Sequence, residues 1–181
     1  MVYEFLADGF EEVEALAPVD ILRRVGCGIK TVSIMPSKTV VGTHGVPVEA
    51  DIMFDDTDFA DADMIVFPGG LPGATNLADH AGVEKLIKKQ YADGKRIAAI
   101  CASPAFVLAK TGVLQGKKAT CYPGLEDKLE GATAVSDEVI TDGNVTTSRG
   151  PATAMAFAIE LVRLMAGESK AKEVSGDLLC K

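Results

Sequence analysis

The chain has 181 residues, 48% hydrophobic and 24% charged, with a formal net charge of −8. That size and composition fit one globular domain with a real core. The negative charge argues against nucleic acid and anionic membrane surfaces as partners. No apolar run approaches the ~20 residues of a membrane span. No signal peptide is visible ahead of the first strand, so the expected compartment is the cytoplasm. There the four scattered cysteines, Cys27, Cys101, Cys121 and Cys180, are expected as reduced thiols rather than a disulfide framework. Two histidines and no CxxC or HxxxH spacing give no reason to expect a metal site.

Val2 to Ala7 reads as a strand, apolar except for Glu4. That charge is awkward in a buried strand, and the sequence leaves its role open. Glu11 to Val25 reads as a helix, with Val13, Leu16, Ala17, Ile21 and Val25 at helical spacing. Pro18 falls inside it and should kink or divide it. Gly26 and Gly28 are stop signals, and Ile29 to Met35 is a second strand. Lys38 to Met53 alternates weakly around Gly42, Gly45 and Pro47, which suggests a small hairpin beside the main sheet. The acids between Asp55 and Asp63 read as a solvated face.

Met64 to Phe67 is a buried strand that runs into Pro68-Gly69-Gly70-Leu71-Pro72-Gly73. Three glycines and two prolines in six residues mark a tight loop where backbone approaches something closely. Leu77 to Ala92 reads as one helix, with His80 as a solvated boundary residue. Ile97 to Ile100 is a short, wholly apolar run, suited to a parallel strand covered on both faces. It stops at Cys101, and Ser103-Pro104 opens a helical run from Ala105 to Lys110 as N-cap and first-turn proline. Cys101 is therefore expected on a sharp strand-to-helix turn at the carboxyl edge of the sheet, where open α/β sheets bind ligands. A helix N-terminus there would lower the thiol pKa, and the geometry is that of a nucleophile elbow with Cys in place of Ser.

Lys117 to Cys121 reads as a fifth strand. Val139–Thr141 and Val145–Thr147 flank Asp142-Gly143-Asn144, a hairpin signal. After Ser148-Arg149-Gly150-Pro151, the residues Ala154, Phe157, Ala158, Leu161, Val162 and Met165 form the core stripe of a long helix ended by Gly167. Lys170 to Lys181 reads as a short helix and a frayed end. Alternating strands and helices with no linker imply one domain, residues 1–181, with a mostly parallel sheet and helices on both faces.

Cys101 is the foremost chemical candidate, set against the ordinary fate of a free cysteine as a small buried hydrophobe. Backbone N–H groups of Ala102 and of the Gly69-Gly70 loop can converge there as an oxyanion hole. A thiol nucleophile needs a proton partner. The acids Glu11, Glu12 and Glu14 follow the first strand at the same sheet edge, and a desolvated one would have a raised pKa. Periodicity does not choose among the three.

The stretches LADGFEEVEALAPVDILRRVG, VFPGG, AICASP, ATCYPG and TSRGP, in that order, make the chain resemble the ThiJ/PfpI superfamily. Within it the match is to the branch of the parkinsonism-associated protein DJ-one and its bacterial relatives. The resemblance runs nearly end to end. It implies a flavodoxin-like three-layer α/β sandwich that works as a homodimer, with Cys101 as the reactive, easily oxidised cysteine. It picks Glu14 as the protonated carboxyl partner, gives backbone contacts to Gly69, Gly70 and Ala102, and places Arg149 near the site or the dimer contact. It implies a cofactor-independent glyoxalase or deglycase-type activity on a small aldehyde, with a cysteine redox sensor as the rival reading and an amidase or peptidase as the third. Ala102 stands where the protease-like branch has histidine, which weakens that third reading. Tyr122 and His44 replace a histidine and an arginine of the animal branch, so either is a candidate third polar group. Cys121 adjoins Tyr122 and is a candidate resolving thiol.

Overall fold

The computed structural model describes residues 1–180. In chain order the elements are β1 (Val2–Leu6), α1 (Glu12–Arg24), β2 (Ile29–Ser33), β3 (Thr39–Val41), β4 (Pro47–Glu49), β5 (Ile52–Met53) and β6 (Met64–Phe67). There follow α2 (Gly73–Asp79), α3 (Ala81–Ala92), β7 (Arg96–Ile100), β8 (Lys118–Ala119), β9 (Thr133–Ala134), β10 (Val139–Asp142), β11 (Val145–Ser148), α4 (Ala154–Ala166) and α5 (Glu168–Asp177). The central sheet has seven strands in the order β10-β11-β7-β6-β1-β2-β5, all parallel except β10. Helices α1, α4 and α5 pack together, while α2, α3 and the helical segment after Cys101 form a second group. The architecture is the flavodoxin-like three-layer sandwich.

Apolar strands occupy the middle of the sheet because both faces are covered. Ile97 to Ile100 and Met64 to Phe67 are fully buried, as continuous apolar runs in a parallel sheet require. An aromatic cluster fills one side of β1, where Phe5 stacks on Phe67 at 5.3 Å between ring centroids and also meets Phe59 and Phe54. The strand order reverses at β1 and β6, and such a switch point opens a crevice beyond the strands' carboxyl ends. The loops after β1, β6 and β7 all emerge there.

Several elements differ from the sequence reading. Helix α1 runs through Pro18 without a break, and its inward face carries Glu12, Glu14, Ala15, Pro18, Val19, Ile21 and Leu22. Val13 and Leu16 instead point out, at 53% and 40% exposure. The helix expected over Leu77–Ala92 is two helices, parted at His80, which adopts extended backbone and accepts the Val83 amide on its Nδ1 at 3.2 Å. That ring caps α3, so the second helix gains its own start. The strand expected at Lys117–Cys121 lies outside the central sheet. Only Lys118 and Ala119 pair, with Thr133 and Ala134, because β11 already holds the edge of β7 in the register Val145↔Ile97. The Lys38–Met53 region does form a hairpin, β3 with β4, but Ile52–Met53 departs from it to close the main sheet. The tail helix ends at Asp177, and Lys181 lies outside the described residues.

Glu4 is wholly buried in β1 between Thr31 and Val66, and neither carboxyl oxygen has a hydrogen-bond partner among the described residues. Burial raises its pKa well above the ordinary value, opposed only by Arg23. A raised acid contributes no penalty below the unfolded-state pKa and destabilises the fold progressively as pH climbs through the folded-state value. Glu4→Gln is therefore expected to stabilise the protein by more than about 1 kcal/mol at pH 8, the gain shrinking toward pH 4. Urea unfolding of both proteins across that range measures it.

Candidate active site

The chain after β7 turns at Cys101, whose φ of 65° lies in the left-handed region. A non-glycine residue held there stores about 1–3 kcal/mol of strain. Two backbone bonds hold the turn: the Cys101 amide donates to the Ser148 carbonyl of β11 at 2.9 Å, and the Tyr122 amide donates to the Cys101 carbonyl at 2.8 Å. Beyond it, Pro104–Leu108 winds as a π turn and Ala109–Thr111 as a 3₁₀ turn. Ser103 does not cap this segment. Its hydroxyl donates to the Pro68 carbonyl at 2.5 Å, tying the Cys101 turn to the loop after β6.

Glu14 reaches the same spot from α1. Its side chain is fully buried, and its Oε2 accepts the Gly69 amide at 2.8 Å. Its Oε1 is buried without a hydrogen-bond partner among the described residues, and the carboxyl faces the Cys101 thiol. Gly69 permits this approach. A Cβ there would lie 2.6 Å from the Cys101 Cβ and 2.7 Å from Glu14 Oε2. Gly70, at φ 85°, lets the loop turn against Gly9 and Phe10.

The electrostatics follow from burial. Desolvation pushes the Glu14 carboxyl up to about 7, partly offset by the neighbouring Cys101 thiol and by the hydrogen bond from the Gly69 amide. Burial likewise raises the Cys101 thiol, and a Glu14 carboxylate raises it further; the amides of Gly70 and Ala102 pull it back down. The pair thus holds two protons at low pH, shares one above about pH 7, and gives up the last only in strong alkali. In the one-proton state the Gly69 amide favours the carboxylate, while the amides of Gly70 and Ala102 favour the thiolate. The expected lowering of the thiol pKa by a helix N-terminus is outweighed, because burial dominates and the segment after Cys101 is not a regular α-helix.

The DJ-1/PfpI family profile matches residues 1–164, nearly the whole chain. The chain belongs to the DJ-1/PfpI family. Protein DJ-1 homolog B of Arabidopsis thaliana is 43% identical over 177 residues, which are 97% of this chain and 40% of that protein. The chain thus spans less than half the length of that plant relative. The protein named Deglycase PH1704, from Pyrococcus horikoshii, is 36% identical over 162 residues, covering 88% of this chain and 95% of that one. Among solved structures, one titled as oxidized Toxoplasma gondii DJ-1 superposes with a TM-score of 0.95 at 36% identity, covering 98% of this chain and 97% of that one.

Of the residues singled out in the DJ-1/PfpI motifs, the structure brings Cys101, Glu14, Gly69, Gly70, Ala102 and Tyr122 together. Their tasks divide differently from the sequence reading, since the Gly69 amide serves Glu14 while the amides of Gly70 and Ala102 lower the thiol pKa. His44 does not supply a third polar group. Its ring Nδ1 and its amide both meet Glu12, each at 2.7 Å, with the ring largely exposed. Glu12 raises the His44 pKa and His44 lowers that of Glu12. Ligand atoms of Glu11, Glu12 and His44 lie within 4.8 Å of one another, yet each acid is already engaged: Glu11 caps α1 by accepting the Glu14 amide at 2.8 Å. Arg149 donates to the Ser136 carbonyl at 3.1 Å and stands near Cys121. Cys121 is buried, its thiol pushed up to about 11 by desolvation and Glu126, which disfavours the thiolate a resolving cysteine needs. Gly150 was not anticipated. A Cβ there would sit 3.3 Å from the Tyr122 ring and 4.0 Å from Glu14 Oε1, so this backbone closes the site, and the Ser148-Arg149-Gly150-Pro151 run was its sequence signal.

Gly69→Ala is expected to lower the unfolding free energy by about 1–3 kcal/mol through overpacking against Cys101 and Glu14. Chemical denaturation alongside the parent protein checks this.

Proposed function

We propose that the chain is a cysteine-dependent, cofactor-independent enzyme of glyoxalase or deglycase type, acting on small 2-oxoaldehydes such as methylglyoxal and glyoxal or on their early adducts. The observation that carries this reading is the buried Glu14 carboxyl, with one unpartnered oxygen, set against the Cys101 thiol on its left-handed turn. The printed name of the Pyrococcus relative supports the deglycase side.

In this mechanism the Cys101 thiolate adds to the aldehyde carbon, and the new oxyanion lies against the Gly70 and Ala102 amides and takes the Glu14 proton. The resulting Glu14 carboxylate removes the hydrogen from that carbon, giving an enediolate; the hydroxyl proton passes to the neighbouring oxygen, and Glu14 returns its proton to the adjacent carbon. The product is a thioester of a 2-hydroxy acid. Water cleaves it, releasing the hydroxy acid and restoring the thiol. Each step moves one proton, and no electron carrier is consumed.

The same groups suit a second role. A Cys101 oxidised by peroxide to a sulfinate would accept hydrogen bonds from protonated Glu14 and the Gly70 and Ala102 amides, and the oxidized Toxoplasma relative favours keeping this reading. An amidase or peptidase is less well served, since His44 is committed to Glu12 and His80 to the cap of α3. We also propose a homodimer and a cytoplasmic location. The outward Val13 and Leu16 of α1, with the exposed Met155 of neighbouring α4, supply an apolar face for a second copy.

Methylglyoxal turnover without glutathione is expected to vanish in Cys101→Ala and to fall about 10²–10⁴-fold in Glu14→Gln. Full turnover in Cys101→Ala sinks the proposal. Peroxide treatment followed by intact-mass measurement, showing two added oxygens at Cys101 with negligible turnover, would transfer the weight to sensing. The value of kcat/KM should rise with pH through about 7, as the pair passes from two protons to one, and a pH–rate profile of the parent enzyme tests this.

A further inference from the structure

The proposed chemistry leaves Tyr122 without a task. Its backbone is pinned at the site by the bond from its amide to the Cys101 carbonyl at 2.8 Å. Its ring carbons Cδ2 and Cε2 lie 3.3 and 3.7 Å from the point where a Gly150 Cβ would stand, and Glu14 Oε1 lies 4.0 Å from that same point. The aromatic edge and the unpartnered carboxyl oxygen therefore border one small space. On one side of it Glu14 is wholly buried; on the other Tyr122 is 49% exposed. Tyr122 meets the site through its backbone and ring carbons.

We propose that Tyr122 is a positioning residue whose ring, rather than its hydroxyl, roofs the Glu14–Cys101 pair, keeping water from the carboxyl and limiting the bulk of the carbonyl compound that reaches the sulfur. The limit on bulk rests on the small-aldehyde reading; the exclusion of water does not.

The physical argument concerns Glu14 Oε1. A water in the space beside it would solvate the carboxylate and supply the missing hydrogen-bond partner. Desolvation is the largest influence on this carboxyl, so the group that keeps the space dry governs when it loses its proton. Other groups facing Glu14 are already accounted for. Glu11, on the same helix, raises its pKa slightly by charge; the Gly69 amide and Cys101 face it from the loops after β6 and β7. From the hairpin, His44 points to Glu12, and from the loop after β11, Arg149 turns to the Ser136 carbonyl. Removing the Tyr122 ring changes none of these contacts and admits water.

The test follows alkylation of Cys101 by iodoacetamide from about pH 5 to 9, which reads the proton state of the pair without any aldehyde. The parent protein and Tyr122→Phe are expected to share a midpoint at about 7. Tyr122→Ala, and likewise Tyr122→Asn if the alanine variant misfolds by circular dichroism, should move the midpoint down by about one unit. With Glu14→Gln already in place, Tyr122→Ala should leave the profile where it is. A shift in Tyr122→Phe as large as in Tyr122→Ala would give the task to the hydroxyl and overturn the proposal, as would an unmoved midpoint in both opened variants. In a second arm, the ratio of kcat/KM for phenylglyoxal to that for methylglyoxal should rise about tenfold or more in Tyr122→Ala; an unchanged ratio removes the limit on bulk. If the parent turns over neither compound, the small-aldehyde reading fails, while the alkylation midpoints still decide whether the ring excludes water.

Discussion

Two acids forced together in a space without water set the terms for this protein. In open water, either the Glu14 carboxyl or the Cys101 thiol would ionise in its usual range. Buried side by side, each resists charge, and the first ionisation moves up to about neutral pH. The loops at the switch point serve this pairing. The Gly69 amide steadies one carboxyl oxygen and leaves the other unpartnered. Gly70 and Ala102 bias the shared proton away from sulfur. No side chain larger than hydrogen fits at Gly69 without a shift, because Cys101 and the Glu14 carboxyl already occupy the space.

The first turn of α1 shows how similar residues are divided among tasks. Glu11, Glu12 and Glu14 are all buried, which is costly for three acids in four positions. Glu11 meets the cost by capping the helix, Glu12 by holding the hairpin through His44, and only Glu14 is left short of partners. The last is the one beside the thiol. Helical spacing alone had no means to separate them, since the deciding contacts come from the hairpin and from the loop after β6. The family motif separated them because it carries that tertiary context with it.

The rest of the molecule was legible to the extent that local chemistry decides it. The apolar run ending at Cys101, the glycine-proline loop after β6 and the stripe of α4 each needed only near neighbours in sequence, and the mostly parallel sheet followed from the alternation of strands and helices. Where two solutions had similar local merit, tertiary contact chose. Helix α1 is apolar along two sides, so Val13 and Leu16 competed with Ala15, Val19 and Leu22 for the inward face. Lys117–Cys121 had the composition of a sheet strand, but the hairpin of β10 and β11 took the available edge. His80 read as a boundary residue, and its ring proved enough to start a separate helix.

The Cys101 turn is completed late in the chain. The Cys101 amide is held by Ser148, its carbonyl by Tyr122, and the neighbouring space is closed by Gly150. During synthesis on the ribosome, strands β1 to β7 emerge well before those partners do. Until residue 150 has left the exit tunnel, Cys101 lacks the contacts that constrain it and is an unremarkable thiol on an unfinished sheet edge. Its buried setting beside Glu14 is completed with the final third of the polypeptide, so a nascent or truncated chain carries the cysteine without its finished surroundings.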